Sequence, residues 1–136
     1  MMVRALALVM LVAAAAGCGG SHLPELAAGE PTSYRAHVEP LVGKRCLSCH
    51  TAADPKAGLV LEPGRGWEAL VGPSSVQVPG LRLVAPGRPD GSYLWHKLDH
   101  TATVGDGMPR RLVRAKRLPA AELERFRRWI EDGARP

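Results

Sequence analysis

The sequence predicts a small, mostly α, loop-rich domain, and three observations lead there. The chain has 136 residues, enough for one domain with a tail. It carries 15 Gly and 12 Pro, too many for a helical bundle yet short of low-complexity composition. Near the end, Leu123, Phe126 and Ile130 recur at helical spacing, joined by Trp129. Against these stands a shortage: one Phe, two Tyr and three Trp make the chain only 4% aromatic. Aromatic rings normally supply much of the buried area of a small domain, so something besides side chains is expected to fill the core. The net charge of +5 is modest, and no long single-sign block suggests a nucleic-acid tail.

Residues 1–17 read as an export signal. Arg4 supplies the positive start, and an unbroken apolar run follows from Ala5 to Ala16. Twelve residues at about 1.5 Å each fall well short of a hydrocarbon core of roughly 30 Å, so the run is not a membrane span. It ends in Ala15-Ala16-Gly17-Cys18, which resembles a bacterial lipobox. By that resemblance Cys18 is lipidated and tethers the chain to a bilayer. Ordinary secretory cleavage would instead leave Cys18 as an unpaired thiol. Gly19 carries no retention cue, which by resemblance to lipoprotein sorting favours the outer membrane. Residues 18–31 show no helical or strand period and read as a flexible tether, and residues 32–136 as the domain.

Inside the domain, Val38, Leu41 or Val42, and Cys46 recur at helical spacing, with Pro40 expected to limit the helix upstream. The helix leads into Cys46-Leu47-Ser48-Cys49-His50. The spacing C-x-x-C-H is the attachment signature of c-type haem. Two thiols on one turn of chain add across the two vinyl groups of the porphyrin, and the adjacent imidazole of His50 becomes the proximal iron ligand. Two rivals use similar residues. A zinc site wants four protein ligands, and only His96 and His100 stand near enough in kind to complete one. A redox-active dithiol normally follows a strand in a βαβ unit, which is absent here. Export favours covalent haem over both.

Further on, Trp67 to Val71 reads as a short helical turn bracketed by Gly66 and Gly72. Val76 to Val84 alternates apolar and polar residues around Pro79-Gly80, as a hairpin or an extended loop would. Asp90 or Ser92 is placed to cap a helix from Tyr93 to Leu98. Trp67, Tyr93 and Trp95 are candidates either for a cofactor pocket or for plain core.

A haem iron with one histidine needs a second ligand or an open position. Met1, Met2 and Met10 lie in the signal, which leaves Met108 as the methionine of the mature domain. It stands in Val104-Gly105-Asp106-Gly107-Met108-Pro109, an irregular loop suited to delivering a side chain to a metal. Met108 is therefore the expected distal ligand, with His96 and His100, spaced i, i+4, as alternatives and His37 more distant. Arg110, Arg111, Arg114, Lys116 and Arg117 follow at once. They are either a solvated connector or a positive collar that steers acidic redox partners. Without interleaved aromatics they do not point to nucleic acid.

With these parts in order, the chain from about Tyr34 to Ala134 resembles the monohaem cytochrome c domains of exported bacterial proteins, including the planctomycete-type modules. The residues that carry the likeness include Cys46-Leu47-Ser48-Cys49-His50, Gly58-Leu59-Val60-Leu61, Trp67-Glu68-Ala69-Leu70-Val71, Val84-Ala85-Pro86-Gly87, Gly107-Met108-Pro109 and Trp129-Ile130-Glu131-Asp132-Gly133-Ala134. The resemblance implies a class I-like cytochrome c fold, with the N- and C-terminal helices packed beside one covalent haem c. It implies attachment at Cys46 and Cys49, with His50 proximal and Met108 distal. The function that follows is a lipid-anchored, periplasm-facing carrier of single electrons and not an enzyme. A haem-based sensor or enzyme accessory module with a displaceable distal ligand is the alternative. A third reading is an interaction module in which haem mainly completes the fold.

Overall fold

The computed structural model describes residues 26–110 and 116–136. Residues 1–17, expected to be an export signal, and Cys18, Arg111 and Arg114 lie outside the described residues. Within them the regular structure is helical and there is no β-strand, only isolated bridges such as Val71 with Val84. Among the described residues, no helix is long and apolar enough to cross a membrane. Residues 27–31 are exposed, and the chain enters the core at Thr32. There both the Thr32 N–H and its hydroxyl donate to the Asp132 carboxylate at 2.8 Å, joining the two ends of the domain.

The first helical segment begins earlier than Pro40 would suggest. Tyr34–Val38 forms a wide π turn and α1, Glu39–Arg45, continues it. A proline has no N–H, and its ring crowds the carbonyl four residues back in a regular helix. The wide turn relieves this by letting the Glu39 N–H reach the Tyr34 carbonyl five residues behind. Ser33 starts the segment by accepting the Ala36 N–H at 3.3 Å. Its inner face buries Tyr34, Val38, Leu41 and Val42. The segment stops at Cys46, where the Cys46 and Leu47 N–H groups both donate to the Val42 carbonyl.

The last helix, α4, is Ala120–Glu131, with Pro119 at its N-cap. Its expected stripe is present: Phe126, Trp129 and Ile130 are fully buried and Leu123 packs against them. Each such side chain removed from water stabilises the fold by about 1.5–3 kcal/mol. Gly133, at φ +96°, closes the helix, with the Ala134 N–H donating to the Trp129 carbonyl and the Gly133 N–H to Ile130. α4 packs on the first helical segment, with the Tyr34 and Trp129 rings 5.5 Å apart and tilted by 54°. The turn after α4 is stitched down as well, because the Trp67 indole donates to the Ala134 carbonyl and the Trp129 indole to Arg135.

Between these helices lie α2, Gly66–Leu70, and α3, Tyr93–Leu98. Gly66 begins α2 because the Tyr34 hydroxyl occupies the space a Cβ would need. Ser92 stands at the N-cap of α3, as expected, but does not cap it. Its hydroxyl is buried, donating to the Arg88 carbonyl at 2.8 Å and accepting the Ala85 N–H at 2.9 Å. Burial offered partners better than the helix end. The alternating run 76–84 is an extended loop folded back on itself. The Leu81 N–H bonds Val78, Ser75 bonds Leu81 and Leu83 bonds Pro73, too few for a ladder.

Glu122 ties α4 to α1 through ion pairs with Arg45 and, at 3.6 Å, the exposed Lys44. Arg45 donates to both Glu122 oxygens, at 2.7 and 2.6 Å, with the Glu122 side chain only 9% exposed. These bonds hold the Glu122 carboxyl below its usual range. A depressed carboxyl contributes stability above the ordinary glutamate pKa and loses it as pH falls through the lowered value. Glu122→Gln is expected to cost about 1–3 kcal/mol at neutral pH, shrinking below about pH 4. Urea unfolding of both proteins across that range checks this, and a difference independent of pH contradicts it.

Candidate cofactor site

The end of α1, the chain following it, α2, the 73–83 loop, α3 and the 104–110 loop surround a single cavity of about 1070 Å³. That is at the upper end of the roughly 300–1,000 Å³ typical of small-molecule and cofactor pockets. Its walls are largely aliphatic, with Leu59, Leu61, Leu70, Leu83, Leu94 and Leu98 among them. Leu61, Leu70 and Leu98 also belong to the main core, so the cavity is an extension of that core. Cys46, Cys49, His50 and Met108 all line it.

The cysteines are set by the way α1 stops. Cys46 caps the helix, and the Cys49 N–H donates to its carbonyl at 3.1 Å, forming one tight turn. Both are free thiols, Cys46 partly buried and Cys49 exposed. Burial, and secondarily the neighbouring Cys49, pushes the Cys46 thiol up to about 12. His50 is held from the following segment. Its Nδ1 lies 3.3 Å from the Leu59 carbonyl, and its own carbonyl accepts the Leu61 N–H at 2.8 Å. A carbonyl can only accept, so Nδ1 carries the proton and Nε2 keeps a free lone pair. Burial pushes the His50 pKa down, which keeps the ring neutral and able to ligate.

Met108 reaches the cavity on the 104–110 loop. Its N–H donates to the Lys97 carbonyl at 2.7 Å, and its carbonyl accepts from His100 Nε2 at 3.2 Å. Gly107 lies flat against the His100 ring, where a Cβ would come within 2.6 Å. The Met108–Pro109 peptide is cis. His100 thus touches the Met108 backbone and does not line the cavity. His96 does not line it either, and its ring nitrogens lie 2.9 Å from Thr101 Oγ1 and from the Asp90 carbonyl. His37 accepts the Ser33 N–H at the start of the first helical segment. Of the three aromatic candidates, Tyr93 lines the cavity while Trp67 and Trp95 pack against the core.

The charged cluster divides. Arg110 stands at the cavity and pairs with Asp106 at 3.2 Å, whereas Lys116 and Arg117 are exposed and away from it. Sequence reasoning missed the other cations on the cavity wall, Arg45, Lys56, Arg65 and Lys97, and the Leu59 carbonyl behind His50. A helix-packing rule could have flagged Arg45 beside Cys46. Nothing in residue type flags a backbone carbonyl. Among the described residues, no group of three or more His, Cys, Asp or Glu side chains is arranged to hold a bare metal ion.

The two thiols differ in a measurable way. In full-length protein made without cofactor attachment, exposed Cys49 is expected to react with iodoacetamide at least about tenfold faster than Cys46 near pH 8, because the thiolate is the nucleophile. Peptide mass mapping over time reads the ratio. Equal rates would contradict the buried setting of Cys46.

No protein-family model, curated protein or solved structure matches this chain. The likeness to monohaem cytochromes therefore rests on the residues themselves.

Proposed function

We propose that this chain is an exported, lipid-anchored monohaem c-type cytochrome of class I-like fold that carries single electrons between redox partners. One observation carries the reading: Cys46, Cys49, His50 and Met108, from two distant stretches of sequence, line one leucine-walled cavity. The donor set fits a porphyrin: Cys46 and Cys49 would hold it by two thioether bonds, and His50 Nε2 and Met108 Sδ would ligate its iron. When bound, that group supplies reversible one-electron uptake and release at iron.

The chain's own residues do the rest. Leu59 orients the His50 ring through Nδ1 and leaves Nε2 available. The aliphatic walls offer the porphyrin an apolar face, and Met108 as a thioether ligand would favour a higher potential than a second imidazole. With both iron ligands supplied by the chain, no position would be left for substrate, which favours a carrier over an enzyme. Arg65, Lys56 and Arg110 stand at the cavity, the last two paired with Asp54 and Asp106, and would meet acidic partners there. Lipid on Cys18 would hold the domain at the periplasmic face of a membrane through its tether.

The full chain, produced in a host that attaches haem, tests the reading by intact mass and visible spectrum. One covalent haem is expected, lost in a Cys46→Ala/Cys49→Ala variant. A folded wild-type domain without haem overturns it.

A further inference from the structure

Lys97 is buried to 6% exposure on α3, on the wall of the cavity. Among the described residues no carboxylate forms an ion pair with it. A buried ammonium without a counter-ion is costly, and a lysine at the end of a short helix could simply extend into solvent. Here it is turned inward. Its Nζ donates to the Val104 carbonyl at 2.8 Å and to the Asp106 carbonyl at 3.1 Å, and sits 4.9 Å from the centre of the Tyr93 ring. Its backbone carbonyl accepts the Met108 N–H at 2.7 Å.

One residue thus grips alternate positions of the loop that ends at Met108. The Tyr93 hydroxyl reinforces the grip by donating to the same Val104 carbonyl at 2.6 Å. Gly105 leaves room for it, because a Cβ there would come within 2.6 Å of Nζ, and its φ of +68° is one that other residues rarely adopt. The loop carries two glycines and no regular structure, so without these bonds little holds its path.

We propose that Lys97 is a positioning residue that fixes the 104–108 loop so that the Met108 thioether is presented to the cavity. This rests on the reading of Met108 as an axial ligand. A hydrophobic residue of the same length would fill the volume but leave the Val104 and Asp106 carbonyls without this donor. The ammonium is kept for the geometry it imposes.

The test uses the full haem-attached chain and its Lys97→Met variant, which retains an apolar side chain of similar length and removes the donors. Two readouts are followed, the ferric sulfur-to-iron charge-transfer band and amide hydrogen exchange by residue. In the variant the covalent haem remains and the band weakens. Exchange at Met108, whose N–H is bonded to the Lys97 carbonyl, accelerates roughly tenfold or more, while amides of α1 and α4 keep their protection. An unchanged band with unchanged local exchange overturns the proposal, and so does uniform acceleration across the chain, which marks a merely structural lysine. If Lys97→Met does not fold, Tyr93→Phe removes one donor from the Val104 carbonyl and is expected to give the same local pattern more weakly. A pattern that is absent or uniform there also overturns it. A wild-type chain with haem but no charge-transfer band overturns the ligand reading itself, and the exchange rates then decide the loop clamp separately.

Discussion

The Tyr34–Trp129 ring contact and the Arg45–Glu122 fork make the first and last helices one unit, and the rest of the structure hangs from it. The two contacts lie at opposite ends of the first helical segment. Together they set both its tilt and the point at which it stops. Cys46 follows Arg45 directly, so the position of the cysteine turn at the cavity is inherited from the helix packing. The Thr32–Asp132 bonds and the indole bonds to the last residues close the same unit from its other end. The cavity is therefore bounded partly by the end of this packed helical unit and partly by irregular loops.

That asymmetry explains the composition. A domain with six aromatic rings has too little side-chain mass to fill a continuous interior, and the cavity is where the deficit falls. Its walls are leucines shared with the core, so an apolar group placed there would extend the core instead of sitting in a surface cleft. The Gly- and Pro-rich stretches, which oppose long helices, become useful as wrapping. They let the chain double back at the 73–83 loop and return at the 104–110 loop, each contributing wall residues.

Different kinds of signal were legible in the sequence to different degrees. The terminal stripe was readable because burial of one helix face imposes a fixed period, while Cys46, Cys49, His50 and Met108 stood out by their chemistry and the fold brings them to one cavity. The helix start at Tyr34 was not readable, since Pro40 signals a stop and only a wide π turn evades it. Ser92 has the residue type and position of a cap, yet buried partners claimed its hydroxyl. The basic run was read as one cluster, while only Arg110 of its described members reaches the cavity. Least legible were the supports of the site, the Leu59 carbonyl behind His50 and the Lys97 ammonium across the methionine loop. Both depend on backbone groups brought together by the fold, which leave no mark on residue identity.

The central claim is that the chain would hold one iron through His50 and Met108, both of which line the cavity. Iron-edge X-ray absorption of the oxidised, haem-attached chain addresses this most directly. The account predicts one sulfur scatterer beside the nitrogen shell, removed by Met108→Ala. An iron with nitrogen ligands alone, or with one axial position open in the wild-type protein, would contradict it.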